Sequence, residues 1–144
     1  MPESFMDRYA MPPCAKLLGW HLIEADPKAG RIKVGFDGKP EFCNPAGFIQ
    51  GGLLSAMLDD TMGPAVLLHT NGAAYTATIS MTVNFLAPAR VGRFIGEAQV
   101  TQVGKTVAFI EARLTDEKGT LVATATSTAR VVETAKAIGQ GAAT

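Results

Sequence analysis

The hydrophobic period of the sequence changes near residue 70, and this change restricts the possible folds more than any other feature. Between Tyr75 and Leu86, apolar residues alternate with polar ones, which is the period of a half-buried strand. From Gly51 to about Leu68, apolar side chains instead recur at steps of three and four residues, the spacing of one buried helix face. We therefore expect one long helix packed on a sheet. The apolar stripe of that helix consists of Leu54, Met57, Leu58, Thr61, Ala65 and Leu68.

The segments before the long helix are short. Two adjacent prolines suit a helix start, so we expect a helix over about 12–18, after a first helical piece at 3–10. Residues 20–24 and 31–37 have the composition or alternation of strands. Pro64 lies inside the long helix and lacks an N–H, so it is expected to kink that helix or to split off its last turn.

The second half of the chain predicts four strands joined in order as an antiparallel meander. Tight turns are expected between the last three strands, where glycine and charged residues cluster. The fold class is therefore α+β, with one long helix packed on one face of the sheet. The four strands are predicted over 75–86, 91–102, 105–115 and 120–132.

Length and composition indicate one soluble domain. The 144 residues have the length of a single domain, with a packed core over about 15–132 and a flexible tail over about 134–144. Thirteen basic residues balance thirteen acidic ones without a basic stripe, so nucleic acid is not an expected partner. No apolar run has the roughly 20 residues that a membrane span needs. We expect no membrane association.

The two cysteines do not suggest a metal site. Cys14 and Cys43 lack a metal-ligand spacing such as C-x-x-C, and the N-terminus carries early acids and no long apolar stretch typical of a signal peptide. We therefore expect a cytoplasmic protein with reduced thiols and no bound metal.

Two adjacent carboxylates interrupt the apolar helix, and they differ in their neighbours. Successive residues of a helix point 100° apart. Asp59 shares its direction with small residues such as Gly52 and Ser55, so a backbone or a thin ligand can approach it closely. Asp60 lies among larger residues and is expected to be structural or solvent-facing. Asp59 is the candidate general base or nucleophile, and the alternative for it is an exposed helix acid.

The Gly51-Gly52 pair at the start of the same helix offers hydrogen-bond donors. Unpaired N–H groups at a helix start can stabilise a carbonyl oxygen as it becomes an oxyanion, and Asn44 adds a side-chain amide nearby. Gly51 and Asp59 are eight residues apart, or roughly 12 Å at the helical rise. Reacting atoms must approach to about 3–3.5 Å. If both groups act on one carbonyl, they therefore come from different subunits of a dimer.

These residues resemble a known family. Asn44, the Gln50-Gly51-Gly52 run and Asp59, followed by NFLAPARVG at 84–92, are similar to the pattern of the hotdog-fold acyl-CoA thioesterases of the phenylacetate-degradation (PaaI-like) type. The resemblance implies a hotdog fold, in which an antiparallel sheet wraps around one long central helix. It also implies homodimers whose two sheets join, commonly paired again as homotetramers.

The resemblance implies hydrolysis of aryl- or medium-chain acyl-CoA thioesters. Asp59 would activate water or attack the carbonyl, while Gly51 and Asn44 of the partner subunit would polarise that carbonyl. Coenzyme A is part of the substrate, and no other cofactor is implied. The substrate-binding residues would be Gln50, Gly52, Thr78 and Arg90, with Thr78 near the acid and Arg90 meeting the phosphates of coenzyme A.

One position departs from the family. The family usually has His before the glycine pair, and Gln50 can form hydrogen bonds there but cannot carry a proton at neutral pH. The departure keeps open a non-catalytic acyl-CoA binding or sensing protein of the same fold. A hydratase is disfavoured because no His is suitably placed beside Asp59, and a Cys43 nucleophile has no supporting spacing.

Overall fold

The computed structural model describes residues 10–141. One long helix lies against a six-stranded sheet, and shorter helices flank it at both ends. The elements are α1 (Pro13–Leu18), β1 (His21–Asp26), β2 (Arg31–Gly38), a short 3-10 helix (Pro40–Phe42), α2 (Gly51–His69), β3 (Ala74–Phe85), β4 (Gly92–Val103), β5 (Val107–Asp116), β6 (Leu121–Glu133) and α3 (Thr134–Gly141).

Most predicted elements are confirmed within a few residues, and the predicted tail is wrong in part. Residues 134–141 form helix α3 instead of a frayed end. The N–H of Thr134 donates to the carbonyl of Ala73, and Thr134 itself is buried, so the start of α3 is attached to the start of β3. The helical piece predicted at 3–10 falls almost wholly outside the described residues.

The sheet is antiparallel throughout, in the order β1-β2-β4-β5-β6-β3. The predicted meander is therefore correct for β4, β5 and β6 but wrong for β3, which pairs with β6 at the far edge. Tight turns join β4 to β5 and β5 to β6, whereas the longer connection over 86–91 contains Pro88 and cannot close a two-residue hairpin. This connection carries the chain from one edge of the sheet to its interior.

The inner face of the sheet wraps around α2. The predicted helix stripe is buried, apart from Leu68, which is only partly buried. It packs against inward-facing side chains of the sheet, and the largest fully buried ones are Phe36, Phe94 and Leu114. The architecture is a helix enclosed by a sheet, as expected.

Helix α2 continues through Pro64 and does not lose its last turn, so that part of the prediction is wrong. Pro64 has no N–H to donate to the carbonyl of Asp60, four residues earlier. The indole Nε1–H of Trp20 donates to that carbonyl instead, at 2.9 Å. A distant tryptophan thus replaces the missing helical hydrogen bond, which allows the helix to continue.

Helix α2 covers neither the β3 edge of the sheet nor its outer face, and these two surfaces differ in polarity. Within residues 10–141, strand β3 is an edge of 12 residues with no strand on its outer side, and Tyr75, Ile79 and Phe85 on it are exposed. The outer face, away from the helix, is largely polar. Among the described residues, no helix has both the length and the hydropathy required to cross a bilayer.

Candidate functional site

The loop before α2 holds Asn44 in a fixed orientation. Its Oδ1 accepts hydrogen bonds from the N–H groups of Ala46 and Phe48, at 3.0 and 3.1 Å. The N–H of Asn44 in turn donates to the carbonyl of Phe48 at 2.7 Å. Within the described residues the side-chain Nδ2 has no partner. Asn44 therefore presents an amide donor from an ordered loop.

The start of α2 leaves its first N–H groups free. Gln50 precedes the helix without a side-chain capping bond, and its carbonyl accepts from Leu53 at 2.9 Å and more weakly from Leu54. The N–H groups of Gly51 and Gly52 donate to no described residue. The Gln50 Oε1 lies over Gly52, at 3.0 Å from where a Cβ would be. The helix start is thus an open donor site with one neutral polar side chain beside it.

Arg90 lies beside this helix start. The N–H of Ile49 donates to the carbonyl of Ala89 at 2.8 Å, which holds the 86–91 connection against the loop before α2. The Arg90 guanidinium stacks over the Phe48 ring, 5.2 Å from its centroid. The structure therefore brings the predicted residues Asn44, Gln50, Gly51, Gly52 and Arg90 into one group.

Asp59 and Thr78 form a second group. The Thr78 hydroxyl donates to Asp59 Oδ1 at 2.8 Å. This contact arises because the inner face of β3 lies along α2, where Thr76 also approaches Gly63. Thr78 fixes one carboxylate oxygen and leaves the second without a partner among the described residues. A carboxylate held in this way is suited to accept a proton or to attack a carbonyl carbon.

The two groups do not meet within one chain. Eight residues of uninterrupted helix separate Gly51 from Asp59, which is roughly 12 Å. The structure therefore has the donors at the helix start and the carboxylate near the helix middle, next to the open edge of β3.

Asp60 was expected to be structural or solvent-facing, and its carboxyl is partly buried. Its Oδ2 is buried and has no hydrogen-bond partner among the described residues. Burial, together with the charge of Asp59, raises the pKa of Asp60 from 3.8 to about 6. The two adjacent acids are thus electrostatically coupled, although their side chains point in different directions.

Sequence reasoning missed three residues that shape this region: Phe48, Phe85 and Trp20. The Phe85 ring covers Gly51, and a Cβ at position 51 would lie only 3.0 Å from the ring. The position of Phe85 directly before the LAPAR segment could have indicated that its ring belongs to the site. The spacing of Asp60 and Pro64 could have indicated a side-chain donor such as Trp20, because Pro64 has no N–H to donate to the carbonyl of Asp60.

Comparison with known proteins identifies the family. Residues 46–123, more than half of the chain, match the model of the thioesterase superfamily. The chain belongs to the thioesterase superfamily. The matched segment of this thioesterase contains every predicted site residue except Asn44.

Individual relatives agree with this assignment. The thioesterase is 32% identical to human acyl-coenzyme A thioesterase 13 over 104 residues, which are 71% of this chain and 72% of the human protein. A phenylacetic acid degradation-related protein of Ralstonia eutropha JMP134 is 33% identical, with a TM-score of 0.82 over 87% of this chain and 94% of that one.

The PaaI protein of the Escherichia coli phenylacetic acid degradation operon is more distant. It is 22% identical, with a TM-score of 0.79 over 90% of this chain and 91% of that one, so it bears on the fold alone. The hotdog fold and the PaaI-like resemblance predicted from the sequence are confirmed. The general activity supported for this thioesterase is hydrolysis of a thioester.

Proposed function

We propose that the protein hydrolyses aryl- or medium-chain acyl-CoA thioesters to the free acid and coenzyme A. The proposal rests on the Asp59 carboxylate, which accepts a hydrogen bond from the Thr78 hydroxyl at 2.8 Å. This carboxylate lies eight residues along α2 from Gly51, whose N–H donates to no described residue. The human relative, which is named as an acyl-coenzyme A thioesterase, supports the substrate class.

In the base mechanism, Asp59 takes a proton from water as the water oxygen bonds to the thioester carbon. The carbonyl oxygen gains negative charge, which the Gly51 N–H and the Asn44 amide of the partner subunit stabilise. The carbon–sulfur bond then breaks, and the thiolate takes up the proton that Asp59 holds. In the nucleophile mechanism, Asp59 itself displaces the thiolate, and water hydrolyses the resulting anhydride. ¹⁸O found in the Asp59 carboxyl after a single turnover in ¹⁸O-water would establish the nucleophile mechanism, because this label enters only when water attacks the Asp59 carbonyl carbon of the anhydride.

The proposed site requires a homodimer joined along β3. This edge strand has backbone groups that pair with no described residue, together with exposed apolar side chains, and both favour addition of another strand. If the two copies of α2 run antiparallel about a two-fold axis, Gly51 faces the partner's Asp59 when the axis passes near Ser55, midway between them. The corresponding centre of β3 lies between Thr78 and Phe85, near residues 81–82.

We also propose that two such dimers pair through the outer face of the sheet. One cross-strand row on this face runs from β1 to β5 with alternating charge, and its members lie directly opposite one another. A two-fold axis between the central strands β4 and β5 places Glu97 opposite the partner's Arg113 and creates no like-charge pair in this row. The row consists of Glu24, Lys33, Glu97 and Arg113.

The remaining predicted residues have substrate-binding roles in this proposal. Arg90 is exposed and stacked on Phe48, and it is available to meet a phosphate of coenzyme A. Gln50 and Gly52 border the donor site at the helix start. The proposed mechanism uses no resident metal or cofactor. We propose that the protein acts in the cytoplasm.

A non-catalytic acyl-CoA binding protein is the second candidate, because Gln50 cannot carry a proton. Purified protein should release free thiol from benzoyl-, phenylacetyl- or octanoyl-CoA. Asp59→Asn should abolish this release while its circular dichroism and its thermal shift with acyl-CoA persist. Asp116→Asn, in the β5–β6 turn, serves as the control. Full activity of Asp59→Asn would refute the catalytic assignment, and ligand-induced stabilisation without turnover would establish the binding protein.

A further inference from the structure

The contact between Phe85 and Gly51 places an aromatic ring on the proposed oxyanion site. The ring end would lie 3.0 Å from a Cβ at position 51, so any side chain there would force Phe85 to move. Gly51 does not have a left-handed backbone, so a turn does not explain its glycine. Glycine suits this position because the end of the Phe85 ring takes up most of the space that a Cβ would need, and a Cβ there would displace the ring by a few tenths of an ångström.

Phe85 is not buried by this contact. It is 54% exposed although it lies on the inner side of β3, directly opposite the buried Ala123 of β6. The end of the ring therefore packs on the helix start, while about half of the Phe85 surface is left exposed by the described part of the chain. A half-exposed aromatic ring beside free N–H donors is suited to contact an apolar group attached to the carbonyl that those donors bind.

The two-fold arrangement brings the same ring to the partner's carboxylate. With the centre of β3 near residues 81–82, Phe85 of one subunit lies level with Thr78 of the other. Phe85 then flanks the thioester carbon between its own Gly51 and the partner's Asp59. The inference rests on the proposed function for this placement.

We propose that Phe85 is a specificity-determining residue that contacts the first carbons of the acyl group. The ring provides an apolar wall next to the carbonyl and shields the oxyanion from water. It therefore favours acyl groups that carry bulk near the carbonyl over acetyl. An aryl acyl group gains most because it can stack on the ring.

The test compares kcat/KM for benzoyl-CoA and acetyl-CoA in Phe85→Ala, Phe85→Tyr and wild-type protein. In Phe85→Ala the benzoyl-to-acetyl ratio should fall by about tenfold, the range that one apolar contact gives to discrimination. Phe85→Tyr should keep the ratio. Phe109→Ala is the matched control because Phe109 is 45% exposed and projects from the outer face of the sheet.

An unchanged benzoyl-to-acetyl ratio in Phe85→Ala, whether or not both kcat/KM values fall, would overturn the specificity role. If wild-type protein binds acyl-CoA but does not turn it over, the proposed catalysis fails. The same ratio is then measured as Kd by calorimetry, and an unchanged Kd ratio would overturn the inference separately.

Discussion

Replacing Asp60 by Asn should stabilise the protein at neutral pH and leave its stability unchanged in acid. Burial and Asp59 raise the pKa of Asp60 from 3.8 to about 6, so the folded state disfavours its charged form. The folded protein binds more protons than the unfolded chain between these values. The stability of the wild type therefore falls as pH rises from about 4 to 6, and the loss remains above 6.

The size of this effect follows from the difference between the two pKa values. Two pKa units correspond to roughly 3 kcal/mol. Because Asp60 is only partly buried and solvent screens its charge, we expect about 1 kcal/mol per subunit. The assay is urea unfolding of wild type and Asp60→Asn at pH 4, 5, 6 and 7.5 and at one protein concentration. Glu117→Gln, an exposed acid in the β5–β6 turn, measures the general effect of removing one negative charge.

The gain for Asp60→Asn should begin near pH 4, grow up to about pH 6 and have its full value at pH 7.5. An equal gain at pH 4 and pH 7.5, or a loss at pH 7.5, would refute the reasoning. Either result would mean that ionisation of this carboxyl is not what destabilises the fold.

Three further changes test other features of the molecule. Trp20→Phe removes the donor to the Asp60 carbonyl and should lower the free energy of unfolding by about 1–2 kcal/mol, measured with urea. The loss should be smaller in a Pro64→Ala background, where residue 64 regains its N–H. Equal losses in both backgrounds would show that Trp20 does not replace the missing helical hydrogen bond. Glu97→Arg should convert tetramers to dimers in light scattering, and Glu97→Arg with Arg113→Glu should restore tetramers. Ser55→Cys, with Cys14 and Cys43 replaced by Ser, should give a cross-linked dimer with a short bismaleimide. The exposed Lys28→Cys, in the β1–β2 turn, should not.

The long helix and the strands of this fold were predictable because each has a local signature. A three- and four-residue period marks α2, and alternation marks β3, without any knowledge of neighbours. The pairing of β3 with β6 has no such signature. It depends on which strand edge is free after β4, β5 and β6 have formed hairpins, and alternation gives no information about that.

The site likewise has features that follow from local sequence and others that depend on the topology of the sheet. The helical rise alone showed that Gly51 and Asp59 cannot act together within one chain. The contact of Phe85 with Gly51 could not be derived in this way, because it exists only when β3 lies along the start of α2. Trp20 likewise reaches Asp60 across 40 residues of sequence. Contacts of this kind depend on topology, which the local pattern leaves open.

The departure at Gln50 leads to a last prediction about proton transfer. In the proposed mechanism no group at the helix start can titrate, so Asp59 alone holds the proton that passes from water to the thiolate. Gln50→His should therefore add an ionisation near the ordinary pKa of histidine, about 6.5, to the pH dependence of kcat/KM. Because Asp60 titrates near 6, the comparison is made in the Asp60→Asn background. Identical pH profiles with Gln50 and with His at this position would show that the residue does not exchange protons with the reacting groups.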